Sequence, residues 1–183
     1  MTWVSEARSR AYAAGFSFSC SEGTADLLGN LVRTLSGDVR AGEVGSGYGV
    51  GTAAIAAALP VGGTLVSVEL DAERAQQTRE LFADDARVQV VTGNEQALLD
   101  FGPFDFVFLD GGPKPTPEGV LRLLRVGGVA VIDDFTPSEN PEYPQFEDRP
   151  DWVRLAYRDS PSLGYAEYPV SDHEVAVVLT RRH

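Results

Sequence analysis

Residues 43–51 read Glu-Val-Gly-Ser-Gly-Tyr-Gly-Val-Gly, a carboxylate followed by glycines at every second position. Glycine tolerates positive φ and lets a ligand lie against the main chain, so this stretch could form a backbone cradle. A second acid, Glu69, ends the apolar segment VSVEL, 20 residues beyond Gly49. A carboxylate so placed can accept hydrogen bonds from both hydroxyls of a ribose. Three further acids, Asp110, Asp133 and Asp134, close the segments FDFVFLD and GGVAVIDD. Three like charges in one cleft are costly unless they share a cation, and oxygen-only ligands suit a hard ion such as Mg²⁺. Lys114, the only lysine in the chain, could act as a general base if burial lowered its pKa. Each residue also has a plain structural reading: Glu69 and Asp134 as solvated acids, Asp133 as a local loop cap, Lys114 as a solvated loop lysine.

The elements that must position these groups follow from the hydrophobic pattern. Two helices are expected over 2–15 and 21–37, the first stopped by Gly15 and the second capped by Ser21. A strand–helix alternation then begins: strands at 39–44, 63–70, 87–93, 104–110 and 127–134, helices at 50–59, 71–85, 94–100 and 116–125. Five strands alternating with helices imply right-handed crossovers and a parallel sheet covered on both faces. The end of the chain differs. After a helix at 151–159, strands at 163–170 and 173–180 are separated by Ser171 and Asp172 alone. So short a gap permits a hairpin and forbids a crossover, so the sheet should finish with an antiparallel pair.

This framework decides what the glycines do. They stand between a strand and a helix, where ligands bind beyond strand C-termini, so a linker is excluded. No Gly-Lys-Ser/Thr follows, which excludes a Walker A loop, and G-x-G-x-x-G from Gly45 would need a glycine at Val50.

The 183 residues fit one domain. With 15 basic and 27 acidic residues, the net charge is −12, which disfavours nucleic acid as a partner. The absence of a long apolar run or a signal-peptide core argues against a membrane partner and for a cytoplasmic location. One cysteine, Cys20, excludes an internal disulfide and a Cys-rich zinc site. His173 and His183 form no nucleophile–histidine–acid constellation.

The stretches EVGSGYGVG, LVSVELD, VVTGNEQALL, FDFVFLDGG and RVGGVAVIDDF occur in one order over roughly residues 20–180. In that order the chain resembles class I S-adenosylmethionine-dependent methyltransferases. Within them it is most similar to small-molecule O-methyltransferases of the catechol/caffeoyl-CoA type and their bacterial relatives. The resemblance implies a Rossmann-like α/β methyltransferase fold: a seven-stranded, mostly parallel sheet, an antiparallel last strand and helices on both faces. It implies one S-adenosylmethionine-binding domain over 1–183, with 1–36 as an N-terminal helical cap and 135–151 as a substrate-side loop. Glu43, Gly45, Ser46, Gly47 and Gly49 would line the methionine end of the cofactor. Glu69 would hold the ribose with Leu70 beside it, and Asn94, Glu95 and Gln96 would meet the adenine edge. Asp110 would face the sulfonium, and Ser21–Gly23 would close over the cofactor. Asp110, Asp133 and Asp134 match the places where metal-dependent members hold their ion, and Asp110 and Lys114 would be the catalytic pair.

Two departures from the family pattern stand out. Gly42 replaces a bulky apolar residue, so the first strand should pack weakly on one side. Asp110-Gly-Gly-Pro-Lys114 is one residue longer than the usual Asp-x-x-Lys. The expected reaction is metal-assisted methylation of a small-molecule hydroxyl, the acceptor phenolic. Phe135, Tyr143, Phe146 and Trp152 are candidates for its apolar wall, and Trp3 and Tyr12 for closing the mouth or forming a homodimer. The rivals are a metal-independent N- or C-methyltransferase, a nicotinamide-dependent oxidoreductase and a cofactor-binding protein without catalysis.

Overall fold

Capping residues set where the helices begin. In a computed structural model of the chain, which describes residues 2–137 and 151–183, Thr2 and Ser5 form a reciprocal capping box that opens α1 (Trp3–Ala13). The Ser21 hydroxyl accepts from the Thr24 amide and starts α2 (Glu22–Arg33). Asp71 and Thr116 do the same for α4 (Ala72–Leu81) and α5 (Pro117–Leu123). Between α2 and α4 lies α3 (Val50–Ala58), so rich in small residues that it is buried along nearly its whole length. The last helix is α6 (Trp152–Arg158).

The strands are β1 (Arg40–Val44), β2 (Thr64–Glu69), β3 (Val88–Thr92), β4 (Phe104–Leu109), β5 (Leu124–Phe135), β6 (Leu163–Ser171) and β7 (Glu174–Arg181). They form one sheet in the order β3-β2-β1-β4-β5-β7-β6. β1 to β5 pair in parallel. β7 pairs antiparallel with both β5 and β6, so the last strand alone runs against the other six. This is the seven-stranded arrangement expected above.

Boundaries differ where local geometry overrides periodicity. α5 is shorter than 116–125 and β5 longer than 127–134, because Leu124 already pairs with Phe104 and a bulge carries the strand on. Residues 94–100 do not form an α-helix. A 3₁₀ segment, Glu95–Phe101, stands there with the Asn94 side chain as its cap. α4 stops at Leu81 rather than running to 85. The gap in the final hairpin is Asp172 and His173, one residue later than expected.

Two apolar layers sandwich the sheet. On one side α2, α3 and Ala7 of α1 pack against Ala41, Phe106, Phe108 and Val131. On the other, the 3₁₀ segment, α5 and α6 cover Val107, Leu109, Ile132 and Val177. β4 is buried at every position, and each fully buried phenylalanine there contributes about 1.5–3 kcal/mol. Gly42 leaves no weak spot, contrary to expectation. A Cβ there would lie 3.2 Å from both Leu98 and Phe104, which fill the space. Among the described residues, no helix is long and apolar enough to cross a membrane.

Candidate functional site

Side chains alternate along a strand, so Glu43, Ser67, Glu69, Asp110 and Asp133 fall in phase with the residues facing α2 and α3. The C-terminal ends of β1, β2, β4 and β5 therefore deliver acids to one side of the sheet. There a cleft of about 490 Å³ opens between the glycine turn, the end of β2 and the loop after β4.

Its central contact joins the two motifs that were expected to meet. The Gly47 amide donates to Glu69 Oε2 at 2.8 Å. Oε1 accepts from the Asp71 amide at 3.0 Å and from Arg74 Nη2 at 2.8 Å and Nε at 3.1 Å. Glu69 is thus a nearly buried carboxylate held in one orientation, and its surroundings include Arg74, which the motif reading did not find. The Arg74 guanidinium lies 5.4 Å from the ring centroid of Phe16, and Phe16 packs on Tyr48 and Phe18. Phe16, Phe18, Ser19 and Cys20 line the cleft. This strap borders the cleft, whereas Ser21–Gly23, expected to close over the cofactor, are not among its lining residues. Ser21 instead caps α2, and Gly23 abuts the Val170 carbonyl too closely to admit a side chain.

Gly45, Ser46, Gly47, Glu69, Leu70, Asn94, Glu95 and Asp110 all line the cleft. Gln96 does not. It borders a second cavity of about 120 Å³, between the 3₁₀ segment and α5, that shares Glu95, Asp110, Gly111 and Gly112 with the cleft. Gly49 and Glu43 are not among the cleft's lining residues either. A Cβ at Gly49 would meet Thr78, Leu81 and Phe82, so its positive φ serves the packing of the turn on α4. Glu43 is 0% exposed. Its Oε2 accepts from Thr52 Oγ1 at 2.5 Å and from Ser67 Oγ, and Ser67 Oγ is bonded to Ser46 Oγ at 2.5 Å. Burial first of all, with Glu69 nearby, raises its pKa to about 7 against the two hydroxyl donors.

Asp110, Asp133 and Asp134 do converge: one carboxylate oxygen of each lies within 4.8 Å of the other two. Asp133 Oδ1 accepts from Thr24 Oγ1 at 3.2 Å, whereas the buried Oδ2 has no hydrogen-bond partner. Desolvation, then Asp133 and Asp134, push the Asp110 carboxyl up to about 9. Desolvation, then Glu174, push Asp133 up to about 7. Crowded acids with an orphaned oxygen and an all-oxygen donor set fit a divalent cation. Asp134 adopts φ 60°, rare for a residue with a side chain.

Lys114 donates to the Asp133 carbonyl at 2.5 Å and stands 4.5 Å above the Phe135 ring. Burial lowers its pKa, opposed by Asp134, Asp133 and Asp110. Phe135 is no open wall, because it is buried between Lys114 and Arg154. Trp152 is 70% exposed, and Tyr143 and Phe146 lie outside the described residues, as does most of the loop expected at 135–151. Trp3 packs edge-on against Phe82, and Tyr12 is exposed.

A sequence family described as a methyltransferase domain matches residues 43–135, from the buried acid of β1 to the end of β5. The chain belongs to this methyltransferase-domain family. A relative from Mycobacterium bovis (strain BCG / Pasteur 1173P2) that bears an O-methyltransferase name is 31% identical over 112 residues, covering 56% of this chain and 50% of the relative. Another from Mycobacterium marinum is 29% identical over 141 residues, covering 72% and 62%. The chain thus spans about half the length of the curated relatives it matches first. Among solved structures, the O-methyltransferase TomG from Streptomyces achromogenes, involved in tomaymycin synthesis and crystallised with SAM, superposes with a TM-score of 0.81. It is 20% identical, over 99% of this chain and 90% of that one. An O-methyltransferase from Bacillus cereus in complex with SAH gives 0.76 at 21% identity, over 98% and 90%. At these identities the likeness establishes the Rossmann-like methyltransferase fold.

Proposed function

We propose that this domain binds S-adenosylmethionine in the cleft and transfers its methyl group to a hydroxyl of a small, phenolic acceptor with help from a divalent cation. The observation that carries the reading is the double membership of Asp110, which lines the nucleoside-sized cleft and belongs to the three-carboxylate cluster. One residue at the boundary brings a cofactor and a metal-held acceptor within reach of each other. The solved relatives with SAM or SAH bound support the choice of cofactor.

In this reading Glu69 orients the ribose, and the glycine turn at Gly45–Gly47, which lines the cleft, meets the methionine end. Leu70, Asn94 and Glu95 border the base, with Gln96 behind them. Asp110, Asp133 and Asp134 would hold Mg²⁺. When bound, such an ion supplies Lewis acidity that lowers the pKa of an acceptor hydroxyl. Lys114, set over Phe135 and beside the acids, takes up the hydroxyl proton. Methyl transfer is a direct displacement, so the residues act mainly by holding acceptor oxygen and methyl carbon in line.

Calorimetric titration with S-adenosylhomocysteine and with NAD tests the cofactor. Methyl transfer from labelled S-adenosylmethionine to 1,2-dihydroxybenzene, with Mg²⁺ or with chelator, tests the chemistry. Binding of the thioether and chelator-sensitive transfer are expected. Binding of NAD in place of the thioether would sink the cofactor reading, and transfer undiminished by chelator would remove the metal.

A further inference from the structure

Asp133 lies near the end of β5, 1% exposed, and its two oxygens are treated unequally. Oδ1 accepts from Thr24 Oγ1 at 3.2 Å, across 109 positions of sequence, and Oδ2 has no partner. Among the described residues, Thr24 alone gives this carboxylate a side-chain hydrogen bond. Thr24 sits in the first turn of α2 and is 0% exposed. The other buried positions of α2 are Ala25, Leu28, Gly29 and Val32, so Thr24 is the one hydroxyl on that face. A buried hydroxyl costs free energy unless it is bonded, and valine would fill the same space without that cost. The order of protons follows. An ionised carboxylate only accepts, so the Thr24 proton goes to Asp133. Ser21 Oγ, 3.0 Å from Thr24 Oγ1, must then donate to Thr24, while it accepts from the Thr24 amide at 3.1 Å. The cap of α2 thus anchors a chain of donors, Ser21 to Thr24 to Asp133, that ends on the three-carboxylate cluster.

We infer that Thr24 is a positioning residue of the cation site: it ties Asp133 Oδ1 to α2, so that Oδ2 is the oxygen left for an ion shared with Asp110 and Asp134. This rests on the metal reading above. The terminal torsion of an aspartate is broad, so a buried carboxylate with one side-chain donor takes its orientation from that donor. Groups that hold a ligand in place govern affinity for the ion almost as strongly as the ligand itself. Thr24 touches neither ion nor cofactor in this arrangement. It acts through Asp133, and Ser21 acts through Thr24.

The test is the affinity of the ion itself. Mn²⁺, which oxygen ligands suit as they suit Mg²⁺, is titrated into the wild-type chain, Thr24→Val, Thr24→Ser and Asp133→Asn, and the free ion is read by electron paramagnetic resonance. S-adenosylhomocysteine is titrated into the same proteins by calorimetry. Valine keeps the shape of threonine and removes the hydroxyl. Mn²⁺ affinity should fall roughly 10–100-fold in Thr24→Val and return close to wild type in Thr24→Ser, with thioether affinity unchanged in both. A hydroxyl that only supports packing would leave the folded Thr24→Val chain with wild-type Mn²⁺ affinity, which would overturn the inference. A Thr24→Ser chain as weak as Thr24→Val would overturn it too. If Thr24→Val does not fold, Thr24→Ala, with the better helix former, carries the same prediction. Asp133→Asn locates the ion. Wild type that binds no Mn²⁺, or Asp133→Asn that binds it as tightly as wild type, removes the metal reading and this inference with it. Weak binding in Asp133→Asn beside wild-type binding in Thr24→Val removes the inference alone.

Discussion

Gly45 and Gly111 pack backbone against backbone. A Cβ on Gly45 would lie 2.9 Å from the Gly111 nitrogen, and one on Gly111 would lie 3.0 Å from the Gly45 α-carbon. The ends of β1 and β4 thereby approach so closely that neither position has room for a side chain, and both glycines line the cleft. Gly45 also has φ 93°, which L side chains rarely adopt. Gly45→Ala should therefore cost more than Gly111→Ala, the second being destabilised by about 1–3 kcal/mol through overpacking and the first by strain in addition. Thermal melts give the ranking. Equal stability of Gly45→Ala and wild type would show that the turn relaxes freely.

The orientation of Glu69 depends on Arg74, and the two should respond differently to substitution. Glu69→Ala removes the proposed ribose acceptor, and a hydrogen bond to a charged group contributes about 1.5–3 kcal/mol. S-adenosylhomocysteine affinity should drop tenfold or more. Arg74→Ala leaves the carboxylate tied to the Gly47 and Asp71 amides, so its loss should be smaller. Arg74→Lys should resemble Arg74→Ala, because a lysine replaces neither the two-nitrogen contact with Oε1 nor the stacking over Phe16. Calorimetry on the three variants checks the order. Full recovery in Arg74→Lys would reduce Arg74 to a simple charge.

Much of the fold was legible because its signals are local: strand-length apolar runs, caps such as Ser21, and a hairpin gap too short for a crossover. The acids at strand ends were legible for the same reason. The orientation of Glu43 was also within reach, since alternation puts it in phase with Ala41 on the α3 side, yet its proximity to the glycines suggested the cleft. Arg74, Phe16 and Cys20 gave no such signal. They reach the site through packing of α4 and the strap, contacts that depend on the tertiary arrangement. Gly49 misled because positive φ serves helix packing as readily as ligand approach.

Glu43 also predicts the sign of a pH effect. Its carboxyl is raised from the ordinary 4.5 to about 7 by burial. Between these values the folded chain holds a proton that the unfolded chain has lost, so this group's contribution to stability falls as pH rises through that window and levels off above it. The full shift corresponds to roughly 3 kcal/mol. Glu43→Gln lacks the titration. The difference in melting temperature between the variant and wild type should therefore move in favour of Glu43→Gln from pH 5 to pH 8. A constant difference across that range would mean that Glu43 is ionised throughout or supported by a cation.

The carboxylate cluster predicts a crossing of stabilities. Asp110, Asp133 and Asp134 repel one another in a partly desolvated place, and Asp133 Oδ2 lacks a donor. Asp133→Asn removes one charge, keeps an oxygen for Thr24 and offers an amide N–H₂ to the neighbouring carboxylates. In chelator the variant should therefore melt higher than wild type. Mg²⁺ should then stabilise wild type by mass action, about 2.7 kcal/mol at a hundredfold excess over the dissociation constant, and Asp133→Asn much less. Wild type should overtake the variant as Mg²⁺ is added, with S-adenosylhomocysteine affinity similar in both because the ribose grip at Glu69 is untouched. A destabilised variant in chelator would mean that the acids are held by protein donors rather than arranged for an ion. Parallel Mg²⁺ responses in the two proteins would place any bound ion elsewhere.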